Sequence, residues 1–398
     1  MYIMMKILEM KNVEEAATVL KDIGCDELGI KIMQHKAVFK TVKIENIRSK
    51  AANLLKQTFL AKGADVALAR GCADLSVEHT DVLVMGTIQQ YKRAIPQLRM
   101  QPWGLKAIAD KLESLVLTSS HKLPFRLYEW SDRSLQIDEN HSLVMGILNV
   151  TPDSFSDGGK YNNLDAAIRH VETMQAEGAD IIDIGAESTR PYGGNEKITS
   201  DQELARLLPL LEAVLSHCSV PVSIDTYKAS VAEEALRRGA HIINDIWGLQ
   251  YDQAMAKVVA KYNAPIVVMH NQQEIAYSSD IMQDICDFLQ KSIQIGIENK
   301  INSDNIIVDP GIGFAKNFDH NIQIMRNIER LQNLHCPVLL GASRKRFIGE
   351  VLDLPPAERA EGTAATAALG KMKGVQIHRV HDVKVVKRLL KMLDAMMD

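Results

Sequence analysis

The hydrophobic pattern becomes regular from about residue 140 onward, where short aliphatic runs alternate with longer amphipathic stretches. Eight runs have the almost continuous apolar character of strands that are covered on both faces. They span residues 143–148, 180–184, 221–224, 241–244, 265–269, 305–308, 337–340 and 375–378. Between them, apolar residues recur at helical spacing, as at Leu164, Ile168, Val171 and Met174. Eight β-α units in about 255 residues favour a (β/α)8 TIM barrel over a doubly wound open sheet.

Residues 1–120 follow a different pattern, which predicts a smaller N-terminal α/β domain of unknown role. The predicted strands are 6–9, 38–43, 65–69 and 81–85, and the predicted helices are 13–23, 44–61 and 105–117. Residues 119–123 are predicted to form a linker, and the alternating segments 125–130 and 134–138 predict a β-hairpin ahead of the barrel. We therefore expect two domains, 1–120 and 121–398.

Composition narrows the possible classes of protein. Of the 398 residues, 46% are hydrophobic and 24% are charged, which excludes wholesale disorder. The net charge of −4 gives no reason to expect nucleic acid as the main partner. No apolar run approaches the roughly 18–20 residues that a membrane helix needs, and no secretory signal is visible at the N-terminus. The five cysteines are scattered and form no C-x-x-C pair. We therefore expect neither disulfides nor a zinc site, but a reducing cytoplasm.

Polar residues are concentrated where the predicted strands end, which is where the chemistry of such barrels is found. The first strand leads to Asn149 and then to the polar sequence TPDSFSDGG, whose length and position favour a functional lid over a plain polar loop. The second strand leads to Asp183 and Glu187, which could equally satisfy backbone amides or pair with nearby cations. Arg190 follows them and has the character of an anion or substrate contact.

Three later strands end in hydrogen-bond acceptors, at Asp225, Asn244 and Asp309. A carboxylate at the end of an apolar strand is expensive to bury unless it is hydrogen-bonded. Around one mouth, three such residues would form a ring of acceptors suited to a flat, donor-rich heterocycle. The same ring could bind a divalent metal. Asp245 could simply cap the next helix.

The last two strands lead to basic residues. Lys345 and Arg379 follow strands seven and eight, the usual phosphate-binding position in this architecture. Arg346 suits a solvated position, and His270, after the fifth strand, is more often a satisfied core histidine than a catalyst. The mouth is therefore predicted to have two halves, an acidic side that grips a heterocycle and a basic side that grips phosphate.

These segments resemble the dihydropteroate synthase family, folate-pathway transferases that are the targets of sulfonamides. The similar segments are MGILNVTPDSFSDGG at 145–159, IDIGAESTRP at 182–191, DPGIGFAK at 309–316, SRK at 343–345 and HRVH at 378–381. They follow the family's order over residues 125–398. The sequence departs from the family's pattern at 269–274 and at Tyr192, where glycine is common. Residues 1–120 do not resemble the partner domains that sometimes precede this enzyme.

The resemblance implies a pterin-binding barrel and a reaction in which 4-aminobenzoate attacks 6-hydroxymethyl-7,8-dihydropterin diphosphate, giving 7,8-dihydropteroate and diphosphate. By matching positions, it assigns pterin binding to Asp225, Asn244, Asp309 and Lys345, diphosphate binding to Asn149, Arg379 and His381, and 4-aminobenzoate binding to Thr189, Arg190, Phe314 and Ser343. It makes Lys345, Arg379 and Asp225 the catalytic residues and gives Asn149 a contact to Mg²⁺. It also implies a cytoplasmic homodimer.

Two other functions stay open at this point. A methyltetrahydrofolate–corrinoid methyltransferase shares a pterin-binding barrel but has no use for the SRK and RVH segments. A non-catalytic pterin-binding or regulatory protein would not need the intact loops and phosphate contacts. The sequence therefore predicts the synthase reaction.

Overall fold

The computed structural model describes residues 5–10, 12–117, 125–149, 160–187 and 198–397. The chain divides into two compact units, Met1–His121 and Lys122–Asp398, and each is described by itself. The predicted linker at 119–123 lies outside the described residues. Among the described helices, none combines the length and apolar character that a membrane span requires.

Unit 1 is the N-terminal part of the chain and contains a three-stranded antiparallel sheet. Its helices and strands are α1 (Val13–Asp22), α2 (Glu27–Ala37), β1 (Phe39–Arg48), α3 (Ser49–Leu60), β2 (Asp65–Leu68), β3 (His79–Thr87), α4 (Ile88–Arg99) and α5 (Leu105–Leu112). The strand order is β1-β3-β2. The sheet and helices enclose an apolar core in which Phe59, Tyr91 and Leu98 are fully buried.

Several predictions for unit 1 are wrong. Residues 6–9 form no strand, and α2 and α4 are absent from the predicted elements. Residues 44–48 belong to β1 and not to a helix, because Ile44 pairs with Val82 and Ile47 pairs with Thr80 of β3. Apolar residues three or four positions apart fit a helix, so the sequence period by itself could not place this boundary. Pairing with β3 decided it.

Unit 2 begins with the predicted hairpin and continues as a (β/α)8 barrel, which confirms the predicted fold class. The hairpin strands are β4 (Arg126–Glu129) and β5 (Ser134–Ile137), and the parallel barrel strands are β6 (Leu143–Asn149), β7 (Ile181–Gly185), β8 (Val222–Asp225), β9 (Ile242–Asp245), β10 (Ile266–Met269), β11 (Ile306–Asp309), β12 (Leu339–Leu340) and β13 (Ile377–Val380). Adjacent strands follow the order β11-β10-β9-β8-β7-β6-β13-β12. The ring closes where the Val308 amide donates to Pro337 O at 2.9 Å.

Helices surround the barrel strands. They are α6 (Lys160–Ala176), α7 (Ser200–His217), α8 (Ala229–Arg237), α9 (Met255–Tyr262), α10 (Ile281–Glu298), α11 (Phe318–Asn327), α12 (Arg346–Leu352), α13 (Ala360–Met372) and α14 (Val383–Met397). Strands such as β8 and β11 are buried at every position, which explains their continuous apolar sequence.

The hairpin fixes which end of the barrel is open. Tyr128, Leu135 and Ile137 pack with apolar residues of the barrel strands, among them Leu143 and Ile181 near the strand starts. This packing covers the amino end of the barrel with apolar side chains. The polar residues of the predicted site lie at the other end of the strands.

Candidate active site

Buried charged and amide side chains gather at the carboxyl end of the barrel. Asp225, Asn244 and Asp309 lie at or next to the ends of β8, β9 and β11, and all three are buried. Asp183, in β7, is completely buried beside them. The placement follows from the strand register, since Gly185 of β7 is level with Asp225 and Asp225 is level with Asn244.

Arg379 joins this group from β13. Its Nε donates to Asp183 Oδ2 at 2.6 Å and its Nη2 donates to Asp225 Oδ2 at 2.8 Å. Asn244 Nδ2 also donates to Asp183 Oδ2, at 3.2 Å. Arg379, predicted for the basic half of the mouth, is therefore ion-paired with two buried carboxylates of the acidic half, and its contact with diphosphate stays a prediction.

Burial makes two carboxylates of this group, those of Asp225 and Asp309, harder to ionise. It raises the pKa of Asp225 to about 7, although the charge of Arg379 opposes the shift. It raises the pKa of Asp309 to about 6, against a hydrogen bond from the Gly311 amide to Asp309 Oδ1 at 2.7 Å. Asp183 Oδ1 and Asp225 Oδ1 are buried and have no hydrogen-bond partner among the described residues. Such atoms are acceptors that a ligand with N–H groups would satisfy.

Asp245 caps a turn, which is the simpler of the two interpretations of this residue. Its carboxylate accepts hydrogen bonds from the backbone amides of Trp247 and Leu249, at 2.9 and 2.7 Å. It caps the turn that follows β9 and does not join the acceptor ring.

Lys345, after β12, lies over the Phe314 ring, and Ser343 pairs with His381, which follows β13. Lys345 Nζ is 4.3 Å from the centre of the Phe314 ring, close enough for a cation–π interaction. Ser343 Oγ lies 3.0 Å from His381 Nδ1 and accepts from the His381 backbone amide at 3.1 Å. Burial, and next the charge of Arg379, lower the pKa of His381 to about 3, so its imidazole is neutral near pH 7. The Arg346 side chain is 70% exposed, as predicted.

Lys316 is a buried residue of this region to which the sequence motifs assign no role. Its Nζ lies 2.9 Å from His270 Nδ1 and donates to Phe314 O at 2.9 Å. Burial lowers the pKa of Lys316 to about 7, against the attraction of Asp309. Burial and the neighbouring Lys316 lower the pKa of His270 to about 2. His270 is therefore a satisfied core histidine, as predicted, and the lysine ties the loop after β11 to the end of β10.

A second lysine, the partly buried Lys228, holds the chain on both sides of residues 188–197. Lys228 Nζ donates to Glu187 Oε2 at 2.7 Å, to Glu203 Oε2 at 2.6 Å and to Ile198 O at 2.8 Å. Glu187 is thus accounted for by pairing with a cation. Thr189 and Arg190, predicted to contact 4-aminobenzoate, lie outside the described residues, as does the predicted lid that follows Asn149.

Asn149 is the residue to which the sequence assigns a metal contact. A Cβ built on Gly185 would lie 3.4 Å from Asn149 Oδ1 and 3.7 Å from Asp225 Oδ2, so both side chains border the same glycine. The described residues contain no group of three or more His, Cys, Asp or Glu side chains able to hold a metal ion. A single amide oxygen fits Mg²⁺ that is held mainly by substrate phosphates and water, because Mg²⁺ rarely occupies an all-protein cage.

Comparisons with known proteins agree with this geometry. The sequence model of a family described as pterin binding enzymes matches residues 145–381. The dihydropteroate synthase of Bacillus subtilis (strain 168) is 55% identical over 257 residues, which are 65% of this chain and 89% of that protein. A dihydropteroate synthase structure from Clostridium difficile, in the presence of pteroic acid, gives a TM-score of 0.63 at 49% identity and covers 64% of this chain and 97% of that chain. The Xanthomonas albilineans enzyme in complex with 7,8-dihydropteroate gives 0.60 at 34% identity, covering 66% and 96%. The family match does not extend into unit 1.

Proposed function

The chain belongs to the pterin-binding enzyme family, and from this premise we propose that it is a transferase that catalyses the dihydropteroate synthase reaction. In that reaction 4-aminobenzoate displaces diphosphate from 6-hydroxymethyl-7,8-dihydropterin diphosphate and 7,8-dihydropteroate is formed. The observation that carries the proposal is the ring of buried acceptors around Asp225, Asn244 and Asp309, with Arg379 held against it.

The pterin is bound by the acceptor ring. The guanidine-like edge of the heterocycle presents several N–H donors, and carboxylates accept such donors in pairs. Asp225 Oδ1, buried without a partner among the described residues, supports this role. Lys345 borders the same space over Phe314 and contacts the polar edge of the pterin.

The chemical step needs little help for the nucleophile, because an arylamine is already reactive near neutral pH. The barrier lies in the departure of diphosphate and in the positive charge that develops at the methylene carbon. Carboxylates around the pterin favour that charge, and Arg379 stabilises the leaving group. His381 is neutral, so one of its ring nitrogens donates and the other accepts. When Ser343 Oγ donates to Nδ1, Nε2 carries the proton and donates a hydrogen bond to the diphosphate. Asp225, Lys345 and Arg379 are accordingly the catalytic residues.

Mg²⁺ is the proposed cofactor, and Asn149 would be its protein ligand together with the substrate diphosphate. When bound, the ion neutralises charge on the leaving group. The 4-aminobenzoate is placed by Thr189, Arg190, Phe314 and Ser343. A cavity of about 290 Å³ is lined by residues that include Lys345, Phe347 and Gly313, the residue before Phe314.

The proposed setting is a homodimer in the cytoplasm. All five cysteines are free, which suits a reducing compartment. Residues 362–365 in α13 resemble the family's dimer surface, and the neighbouring Val351 and Met372 are exposed apolar residues. Such residues become buried when a second copy binds.

The test is a turnover assay with the complete chain. Diphosphate release that requires both the pterin diphosphate and 4-aminobenzoate supports the proposal, and tight pterin binding without turnover would instead indicate a regulatory protein. Lys345→Ala is expected to reduce kcat/KM by at least about a hundredfold, because a charge aimed at the substrate is lost, while the free energy of unfolding is preserved. Arg379→Ala is a less clean variant, since it strips two buried carboxylates of their shared cation.

A further inference from the structure

Asp183 carries a buried carboxylate at the centre of the site, and the proposed reaction gives this carboxylate no role. It is completely buried in β7. Two different donors, Arg379 Nε at 2.6 Å and Asn244 Nδ2 at 3.2 Å, share its Oδ2 atom. Both donors belong to residues with proposed substrate contacts. Asp183 therefore contacts the pterin side and the diphosphate side of the site at the same time.

The first consequence concerns the orientation of the Asn244 amide. An ionised carboxylate can only accept hydrogen bonds, whereas an amide group has an accepting oxygen and a donating nitrogen. Next to Asp183, the amide must turn its nitrogen toward the carboxylate. Its Oδ1 atom is then left as an acceptor for the substrate. Without Asp183, the amide could equally present its N–H₂ group, which would oppose the N–H groups of a pterin.

The second consequence concerns Arg379. Its guanidinium is held at two points, by Asp183 through Nε and by Asp225 through Nη2. If Asp225 takes up the donors of a bound pterin, the contact with Asp183 keeps the guanidinium in place and its charge stays paired. Arg379 then retains a fixed position toward the leaving group.

We propose that Asp183 is a positioning residue for pterin recognition, which fixes Asn244 as an acceptor and holds Arg379 while Asp225 engages the substrate. The proposal rests on the proposed function for the identity of the heterocycle. It predicts that Asp183 acts on pterin binding through Asn244 and has no direct effect on the binding of 4-aminobenzoate.

The main experiment is the substitution Asp183→Leu in the complete chain, which removes both carboxylate oxygens with little change in side-chain volume. Without Oδ2, the Asn244 amide has no carboxylate toward which its nitrogen must turn and can present its N–H₂ group to the pterin, while Arg379 keeps its contact with Asp225. Calorimetric titration with 6-hydroxymethyl-7,8-dihydropterin, which lacks the diphosphate, should show affinity reduced by about 30-fold, the cost of one opposed buried hydrogen bond. The KM for 4-aminobenzoate should change by less than about twofold, because direct contacts to that substrate are unaltered.

Two further variants separate positioning from general support of the fold. Asp245→Asn changes a buried carboxylate that caps the turn after β9 and has no side-chain hydrogen bond with Asn244 or Arg379, so it should lower stability without a specific loss of pterin affinity. Asp183→Asn keeps an acceptor in place, because its amide oxygen can occupy the position of Oδ2 and accept from both Arg379 and Asn244. On a logarithmic scale it should recover at least about a third of the pterin affinity lost in Asp183→Leu, since the orientation of Asn244 is again fixed.

The outcomes are distinct. The proposal is overturned if Asp183→Leu binds the pterin like the wild type, or if Asp183→Asn binds it no better than Asp183→Leu. It is also overturned if Asp183→Leu and Asp183→Asn both fail to fold while Asp245→Asn folds, because Asp183 would then have a structural role only. If the wild type and the variants bind the pterin in the predicted order of affinity but the wild type forms no dihydropteroate, the proposed function is contradicted and this inference stands.

Discussion

The two units of the chain differ in what their cores contain. In unit 1, the buried polar residues among those described are Ser49, Thr58 and Thr80, none of them charged. Among its described residues, unit 2 buries charged side chains at several positions, namely Arg126, Asp183, Glu203, Asp225, Asp245, Asp309, Lys316 and Lys371. Because an unpaired buried charge costs several kcal/mol, such residues are retained where they have a task. The contrast agrees with the position of the proposed site in unit 2.

Buried charge by itself does not mark the site, and a second comparison within unit 2 shows why. Lys371 Nζ pairs with Asp394 Oδ1 at 2.8 Å, and Asp394 accepts from Ser142 N at 3.0 Å. Ser142 directly precedes β6, so this pair fastens α13 and α14 to the amino end of the barrel. At the carboxyl end, Asp183 and Asp225 keep one oxygen each without a partner in the described part of the chain. Arg126 Nε, in the hairpin at the amino end, is also buried without a partner, so what distinguishes the binding end among the described residues is that the atoms left over there include carboxylate oxygens, which accept hydrogen bonds.

The largest expected effect comes from removing Lys228, a partly buried cation whose carboxylate partners stay behind. Lys228→Met leaves Glu187 and Glu203 without their shared ammonium group, and these carboxylates are 8% and 1% exposed. We expect the free energy of unfolding to fall by about 3–5 kcal/mol, as for other broken buried pairs, in urea denaturation. Lys261→Met is the matched control, because its pair with Glu233 is 62% and 44% exposed and should contribute less than about 1 kcal/mol. Equal losses in the two variants would contradict the distinction.

An intermediate effect is expected in the pH dependence of stability. The pKa of Lys316 is about 7 in the folded protein and near its ordinary value of 10.5 in the unfolded chain. Between these pH values the unfolded chain binds one more proton, so the free energy of unfolding should rise with pH by up to about 1.4 kcal/mol per unit. Below pH 7 both states carry the proton and this contribution to the slope vanishes. Urea denaturation from pH 7 to 10 should show a shallower rise in Lys316→Met, and identical slopes would mean that Lys316 stays charged when folded.

The smallest effect is expected from removing unit 1. Because unit 2 has its own core and the family match lies within it, deletion of residues 1–120 should leave kcat/KM within about threefold of the complete chain, provided that the fragment is soluble. The turnover assay described above measures this directly. Loss of activity in a well-folded fragment would show that unit 1 completes the site, and the comparison between the units would then fail.

The sequence-based predictions were more accurate for unit 2 than for unit 1. The eight barrel strands were predicted to within about two residues, because strands covered on both faces leave continuous apolar runs. The resemblance to a family is confirmed by the match over residues 145–381. In unit 1, by contrast, the half-exposed β1 was divided between a strand and a helix, and α2, which has no buried residue, was missed. Weak burial leaves a weak pattern, so the period is ambiguous at β1 and α2. It does not explain why α4 was missed, because α4 buries five residues.

The sequence by itself determined which residues end the strands of unit 2, and the barrel topology then required Asp225, Asn244, Asp309 and Arg379 to share one end. It could not determine which of these groups pair. Arg379 and Asp183 are 196 positions apart, and Asn244 and Asp183 are 61 apart. Whether a guanidinium faces phosphate or a neighbouring carboxylate depends on differences of an ångström in side-chain placement, and only the packing of the closed barrel sets these. For that reason the role of Asp183 became apparent in the structure and not before.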